Sequence, residues 1–323
     1  MKIRNRKVIL LISSLFAISI LAVGCSNEKN TQGEVKTKQQ TNIETTKNDF
    51  TYDNNDYFTD INWLEKNLNN KDIVIIDARS EKDYSKGHIP GAINVAWQSF
   101  CNMEGKGGDK GWGTLLDKEQ LSKIYSDLGI GKNKKVVVYA TKDGWGEDGR
   151  LVWMFKETGV DARMLNGGID LWKSEGKEIS KEKVDPKKSE FVVEELKNDM
   201  NIDTENLKDN MGKVKIIDTR EIDEYDGATK YGEVRGGHLP KSINIPFNKV
   251  YNEDGTIKPK VELEKLFKDA GLNKDDEIVT YCTAGIRSGH MALVLKSLGY
   301  ENVKNYDASY QEWAGDKTNP IEK

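Results

Sequence analysis

A segment that occurs twice constrains this chain more than any other feature. IIDARSEKDYSKGHIPGAINVA at 75–96 returns, with an insertion, as IIDTREIDEYDGATKYGEVRGGHLPKSINIPF at 216–247. Each copy has an apolar run ending in Asp-x-Arg (Asp77 and Arg79; Asp218 and Arg220), then Gly-His-[Ile/Leu]-Pro, then a run beginning Ile-Asn. Later segments pair too: VVVYATKDGWGEDGRLVWMFKETG (136–159) with EIVTYCTAGIRSGHMALVLKSLG (277–299), and MLNGGIDLW (164–172) with VKNYDASYQEW (303–313). Two copies of one domain follow. Short strand-like runs alternate with helical patterns, so the expected class is α/β, each domain a parallel sheet with helices on both faces. The expected boundaries are 56–180 and 190–323, divided by the charged linker KEKVDPKKSE at 181–190.

The copies differ where chemistry would sit. In the second, Ile278, Val279 and Tyr281 read as a buried strand that delivers Cys282 into a short loop closed by Arg287. Ser288 suits a helix N-cap, and Met291, Leu293, Val294, Leu295 and Leu298 supply an apolar helical stretch ending at Gly299. Ligands of open parallel sheets bind at the carboxyl ends of strands, and amides opening a helix point at a bound anion. An ordinary thiol ionises at a pKa of about 8.5, so a working nucleophile needs local positive potential. The loop amides offer about 0.3–1 kcal/mol and Arg287 a full charge. In the first copy Ala140 stands where Cys282 stands, in a longer loop whose helix is expected to resume near Arg150.

Cys282 and Arg287 have four residues between them, one fewer than the loop that cradles phosphate in cysteine phosphatases. CTAGIR resembles the active loop of the rhodaneses, the thiosulfate and 3-mercaptopyruvate sulfurtransferases, and the likeness covers about residues 56–323. The resemblance implies two rhodanese-like domains, the first inactive and walling the cleft of the second, and a sulfur atom carried as a persulfide on Cys282. It implies no cofactor and no metal, because backbone N–H donors from Thr283, Ala284, Gly285, Ile286 and Arg287 can hold that compact anion. Thiosulfate is the expected donor, with Arg287 also holding its charge, and cyanide or a thiol the acceptor. Mercaptopyruvate is the alternative donor, and a lipoprotein that relays persulfide without turnover the alternative class. Many relatives carry a donor-anchoring arginine after the Asp-x-Arg strand, where this chain has Glu224-Tyr225-Asp226-Gly227; Arg235 is the nearest substitute. Trp145, in the silent loop, is the candidate pocket wall.

Other recurring residues call for structural roles. The Asp-x-Arg pairs should tie strand end to neighbouring loop. His88 and His238 precede proline in a turn shared by both domains, including the one without a nucleophile. His290 follows the loop in the first helical turn, either tuning the thiolate or packing.

The amino terminus carries Lys2, Arg4, Arg6 and Lys7, then an apolar run from Val8 to Ala22, shorter than a spanning helix. Leu-Ala-Val-Gly-Cys at 21–25 is similar to a bacterial lipoprotein signal, so cleavage after residue 24, lipidation of Cys25 and a tether over 25–55 rich in Asn, Lys, Thr, Gln and Glu are expected. That places a lipid-anchored enzyme on the extracytoplasmic face of a bacterial membrane. A net charge of -4 without a basic arm gives no reason to expect nucleic acid as a partner. Beyond Cys25 only Cys101 and Cys282 remain, one per domain, too few for a disulfide framework.

Overall fold

The computed structural model describes residues 55–323, and the expected lipoprotein signal, Cys25 and nearly all of the tether lie outside them. Among the described residues no helix is long and apolar enough to cross a membrane. The first domain runs β1 (Phe58–Thr59), α1 (Ile61–Asn67), β2 (Ile73–Asp77), α2 (Glu81–Lys86), β3 (Ile93–Asn94), α3 (Lys118–Asp127), β4 (Lys135–Tyr139), α4 (Glu147–Glu157), β5 (Asp161–Leu165) and α5 (Gly168–Ser174). The second repeats the order with β6 (Asn201–Ile202), α6 (Thr204–Asn210), β7 (Lys215–Asp218), α7 (Ile222–Tyr225), β8 (Ile243–Asn244), α8 (Lys260–Asp269), β9 (Ile278–Tyr281), α9 (Ile286–Ser297), β10 (Val303–Tyr306) and α10 (Ser309–Gly315).

Each domain has one five-stranded parallel sheet, ordered β1-β5-β4-β2-β3 and β6-β10-β9-β7-β8. The central strands are apolar without alternation because both faces are covered. Along β4, Val136 and Val138 join the core shared by both domains, while Val137 and Tyr139 face a separate core with α1 and α5. β9 divides likewise: Ile278 faces the shared core, Val279 and Tyr281 a core with α6 and α10.

α4 and α9 meet at the centre of the shared core. Gly149 lets them approach: a Cβ there would lie 2.5 Å from the Cα of His290. The near-continuous burial of α9 from Arg287 to Leu295 follows, since it packs on its own sheet and on the other domain.

The repeated Asp-x-Arg-to-tyrosine unit is a buried lock made twice. Arg220 bonds both oxygens of Asp218 (2.6–3.1 Å) and the Gly237 carbonyl (2.8 Å), and the Tyr281 hydroxyl donates to Asp218 at 2.5 Å. Arg79, Asp77, Gly87 and Tyr139 repeat it. His88 and His238 stack on Tyr84 and Tyr225 at 3.8 and 3.6 Å and turn Nδ1 to the carbonyls of those tyrosines. Removing one member of a buried ion pair strands the other charge, whereas losing one hydrogen bond to a charged group costs less. Asp218→Ala is therefore predicted to lower stability by about 3–5 kcal/mol and Tyr281→Phe by about 1.5–3 kcal/mol in urea unfolding; a loss below 1 kcal/mol for Asp218→Ala would show the lock to be dispensable.

Candidate active site

Cys282 is the first residue beyond β9, 1% exposed. The start of α10 fixes its main chain. Its N–H donates to Ser309 Oγ (3.1 Å), its carbonyl accepts from the Tyr310 N–H (3.0 Å), and the Thr283 carbonyl accepts from the Gln311 N–H (3.0 Å). Ser309 holds φ 54°, a conformation a side chain adopts at a cost, and spends its hydroxyl on Cys282 and the Tyr306 carbonyl. The first domain has Gly168, φ 51°, at the matching position.

The loop turns into α9 through Gly285, φ 79°, where a Cβ would come within 2.5 Å of the Asp307 carbonyl and 2.6 Å of the Arg150 guanidinium. Only glycine fits. Gly285, not Ser288, caps the helix; Ser288 is its third residue because the left-handed turn starts α9 earlier. First-turn amides have no partner inside their own helix. The sulfur of Cys282 is pushed up in pKa by burial, but the Arg287 charge, the Ser288 amide and hydroxyl and the Ala284 amide together outweigh burial and hold the thiol below its ordinary value.

Arg287, 2% exposed, is held by a group the sequence reading did not single out as functional. Its two terminal nitrogens form a fork on Glu224 of α7 (2.7 and 2.8 Å), and one also donates to Thr283 Oγ1 at 2.7 Å. The Thr283 hydroxyl in turn donates to Glu224 (3.0 Å). Arg287 and Thr283 keep Glu224 in its charged form: burial raises its pKa, but the bonds and charge of Arg287 lower it further. The guanidinium lies 5.0 Å from the Trp145 ring and 5.9 Å from that of Tyr231, and those two rings meet edge to face at 5.0 Å. Trp145 of the first domain is thus brought against the loop-closing arginine, partly exposed.

Two sequence candidates go elsewhere. Arg235 donates to the carbonyls of Trp313, Ala314, Asp316 and Asn319 at 2.6–3.2 Å, so its planar fork closes the end of α10 instead of facing a donor. His290 points across the α4–α9 contact into a cleft beside Ala140, with Nε2 2.7 Å from the Tyr251 hydroxyl. Burial without a charged partner lowers its pKa to about 3, so it is neutral and packs in the other domain's loop region. α4 likewise begins at Glu147, after left-handed Gly146, rather than near Arg150. Arg150 crosses the other way: fully buried, it bonds the Gly285 carbonyl (3.2 Å), the Gly113 carbonyl (2.9 Å) and Asp307 (2.5 Å). Among the described residues no cluster of His, Cys, Asp or Glu has the makings of a metal site.

The two described cysteines should separate by titration. Burial pushes the Cys101 thiol up to about 11 despite the Arg150 charge beside it, whereas Cys282 lies below its ordinary value. Alkylation followed by peptide mapping should label Cys282 first as pH rises, with Cys101 inert until strongly alkaline conditions. Arg287→Ala should move the Cys282 midpoint upward, since a cation favours the thiolate; an unmoved midpoint would remove Arg287 from that role.

The chain matches the rhodanese-like domain family twice, over residues 60–175 and 203–316. A protein of Saccharopolyspora erythraea named "Putative thiosulfate sulfurtransferase" is 32% identical over 270 residues, 80% of this chain and 94% of that protein. The thiosulfate sulfurtransferase of Corynebacterium glutamicum is 31% identical over 283 residues, covering 80% and 88%, and the sulfur carrier protein TtuD of Thermus thermophilus 32% over 279 residues, covering 81% and 94%. Among solved structures, an anaerobic ergothioneine biosynthesis enzyme from Chlorobium limicola superposes with a TM-score of 0.73 at 22% identity, over 84% of this chain and 71% of that one, a likeness of fold. The doubled lock, the two parallel sheets and these matches together make the chain a member of the rhodanese family of sulfurtransferases, with two rhodanese-like domains in tandem.

Proposed function

We propose that this chain is a thiosulfate sulfurtransferase that works through a persulfide on Cys282. One observation carries the reading: a buried thiol whose ionised form is favoured, at the carboxyl end of a central strand, beside the Ser288 amide in the first turn of α9, the Ala284 amide and Arg287. The names of the relatives support thiosulfate as the donor. The Cys282 thiolate attacks the outer sulfur of thiosulfate; the new S–S bond forms as the old one breaks, and sulfite leaves with the bonding pair. The persulfide anion then rests on the amides that held the thiolate, until cyanide or a thiol takes its outer sulfur. No proton need move in the first half, so no general base is required.

The first domain carries no sulfur in this reading, because Ala140 has no thiol and its loop, with the Gly146 turn preceding Glu147 where the second domain has Gly285 preceding Ile286, places no arginine at the helix start. It acts as a wall, contributing Trp145 and Arg150. A relay that delivers its sulfur to a partner protein is the second reading, favoured by the relative named a sulfur carrier protein. Lipid anchoring through Cys25 on the outer face of the membrane completes the proposal and rests on sequence alone.

Cys282→Ser is predicted to abolish sulfur transfer from thiosulfate to cyanide with the fold retained by circular dichroism, and Cys101→Ser to leave transfer intact. Ala140→Cys combined with Cys282→Ser should stay inactive, since the new thiol lacks the amide ring. Steady-state turnover separates enzyme from relay: a relay loads once and stops. Transfer by the double variant would show that position at a strand end suffices.

A further inference from the structure

Five cations of the two domains are each held by a carboxylate or by main-chain carbonyls. Arg287 is forked on Glu224, Arg150 makes one ion-pair contact with Asp307, Arg220 is forked on Asp218, and Arg235 lies on four carbonyls. Lys230, next to Tyr231, pairs with Asp223 at 2.5 Å. A second carboxylate is close by. Glu233, 5% exposed, accepts the Tyr231 N–H at 2.8 Å with one oxygen and leaves the other buried without a hydrogen-bond partner. The one full charge that stabilises the Cys282 sulfur is therefore neutralised within hydrogen-bond distance, and a second carboxyl group, Glu233, is bonded to the Tyr231 main chain. The partly exposed rims of Trp145 and Tyr231, in edge-to-face contact, offer an apolar surface beside the loop.

Thiosulfate brings two negative charges to a thiolate, so three must share this site at the moment of attack. A singly charged donor R–SO2–S⁻ brings one and replaces an ionised oxygen by an organic group. We propose, resting on the sulfurtransferase reading above, that Glu224 is a specificity-determining residue that sets the charge of the sulfur donor, favouring singly charged sulfane donors with an organic substituent over dianions. The chemistry is the same displacement: Cys282 thiolate bonds the terminal sulfur, the bond from that sulfur to the sulfonyl sulfur breaks, and R–SO2⁻ leaves with the pair, total charge conserved. Glu224 acts through Arg287 and Thr283, which it orients. Its neutral isostere keeps an oxygen for those contacts and removes the charge.

The test compares sodium thiosulfate with sodium benzenethiosulfonate as donors, cyanide as acceptor, in the wild-type chain and in Glu224→Gln. The ratio of kcat/KM for thiosulfate to that for benzenethiosulfonate should rise about tenfold or more in Glu224→Gln, since one full charge beside the donor changes. The alkylation midpoint of Cys282 should fall in the same variant, because a nearby anion has been removed; a residue that only held the loop together would instead raise it. Glu233→Gln, at a residue that bonds the Tyr231 main chain and neither Arg287 nor Thr283, should move the ratio the same way by a smaller factor and serves as the check if Glu224→Gln folds poorly. A ratio unchanged within twofold in both variants, or a Cys282 midpoint that rises in Glu224→Gln, overturns the assignment. Absence of any persulfide on Cys282 in the wild type with either donor would overturn the sulfurtransferase reading itself and the assignment with it.

Discussion

The second domain's loop is organised around one conflict, a buried thiol whose ionised form is nevertheless favoured. Cys282 is 1% exposed, and burial alone would drive its proton back on. The chain counters this with short-range polarity: the amides of Ser288 and Ala284 and the charge of the Arg287 guanidinium. The amides are fixed dipoles that need no reorganisation to face a charged sulfur, which is the advantage of preorganised donors over water. The cost appears in the backbone. Gly285 and Ser309 both occupy left-handed φ, and each lies where the main chain of the loop is pinned.

The guanidinium is itself a buried charge and needs an answer. Glu224 gives one, so the cation that favours the thiolate is half of a bidentate pair and not a free anion receptor. That alters the expectation that Arg287 grips both sulfur and donor. Its terminal nitrogens are engaged with Glu224 and Thr283, and its influence on Cys282 is electrostatic.

The domain with Ala140 at the matching strand end is built into the same core as the domain with Cys282. α4 and α9 share one core, and each sends a side chain across it: Arg150 to the Gly285 carbonyl, His290 to the cleft beside Ala140. Removing the first domain would strip the active loop of Arg150 and Trp145 together. The fold was largely legible in sequence because the repeat doubled every local signal: Asp-x-Arg, Gly-His-x-Pro and the strand before Cys282 each had a second copy. Glu224 is harder to read because it sits 63 residues from Arg287, at a place where the family resemblance leads to an arginine instead of a carboxylate. Ser309 has a usable signal in the paired segment, where Gly168 at the matching position also holds a positive φ. The direction of His290 was not readable from its own helix; it depends on Gly149 of the other domain, whose missing side chain makes room for it.

The central claim is that sulfur rests on Cys282 within a ring of amides, and a crystal structure of the protein soaked with thiosulfate addresses it most directly. One additional sulfur atom bonded to Cys282 Sγ, within hydrogen-bond distance of the α9 first-turn amides, with Arg287 still forked on Glu224, is the predicted result. An unmodified Cys282, or the added sulfur on Cys101, would contradict it.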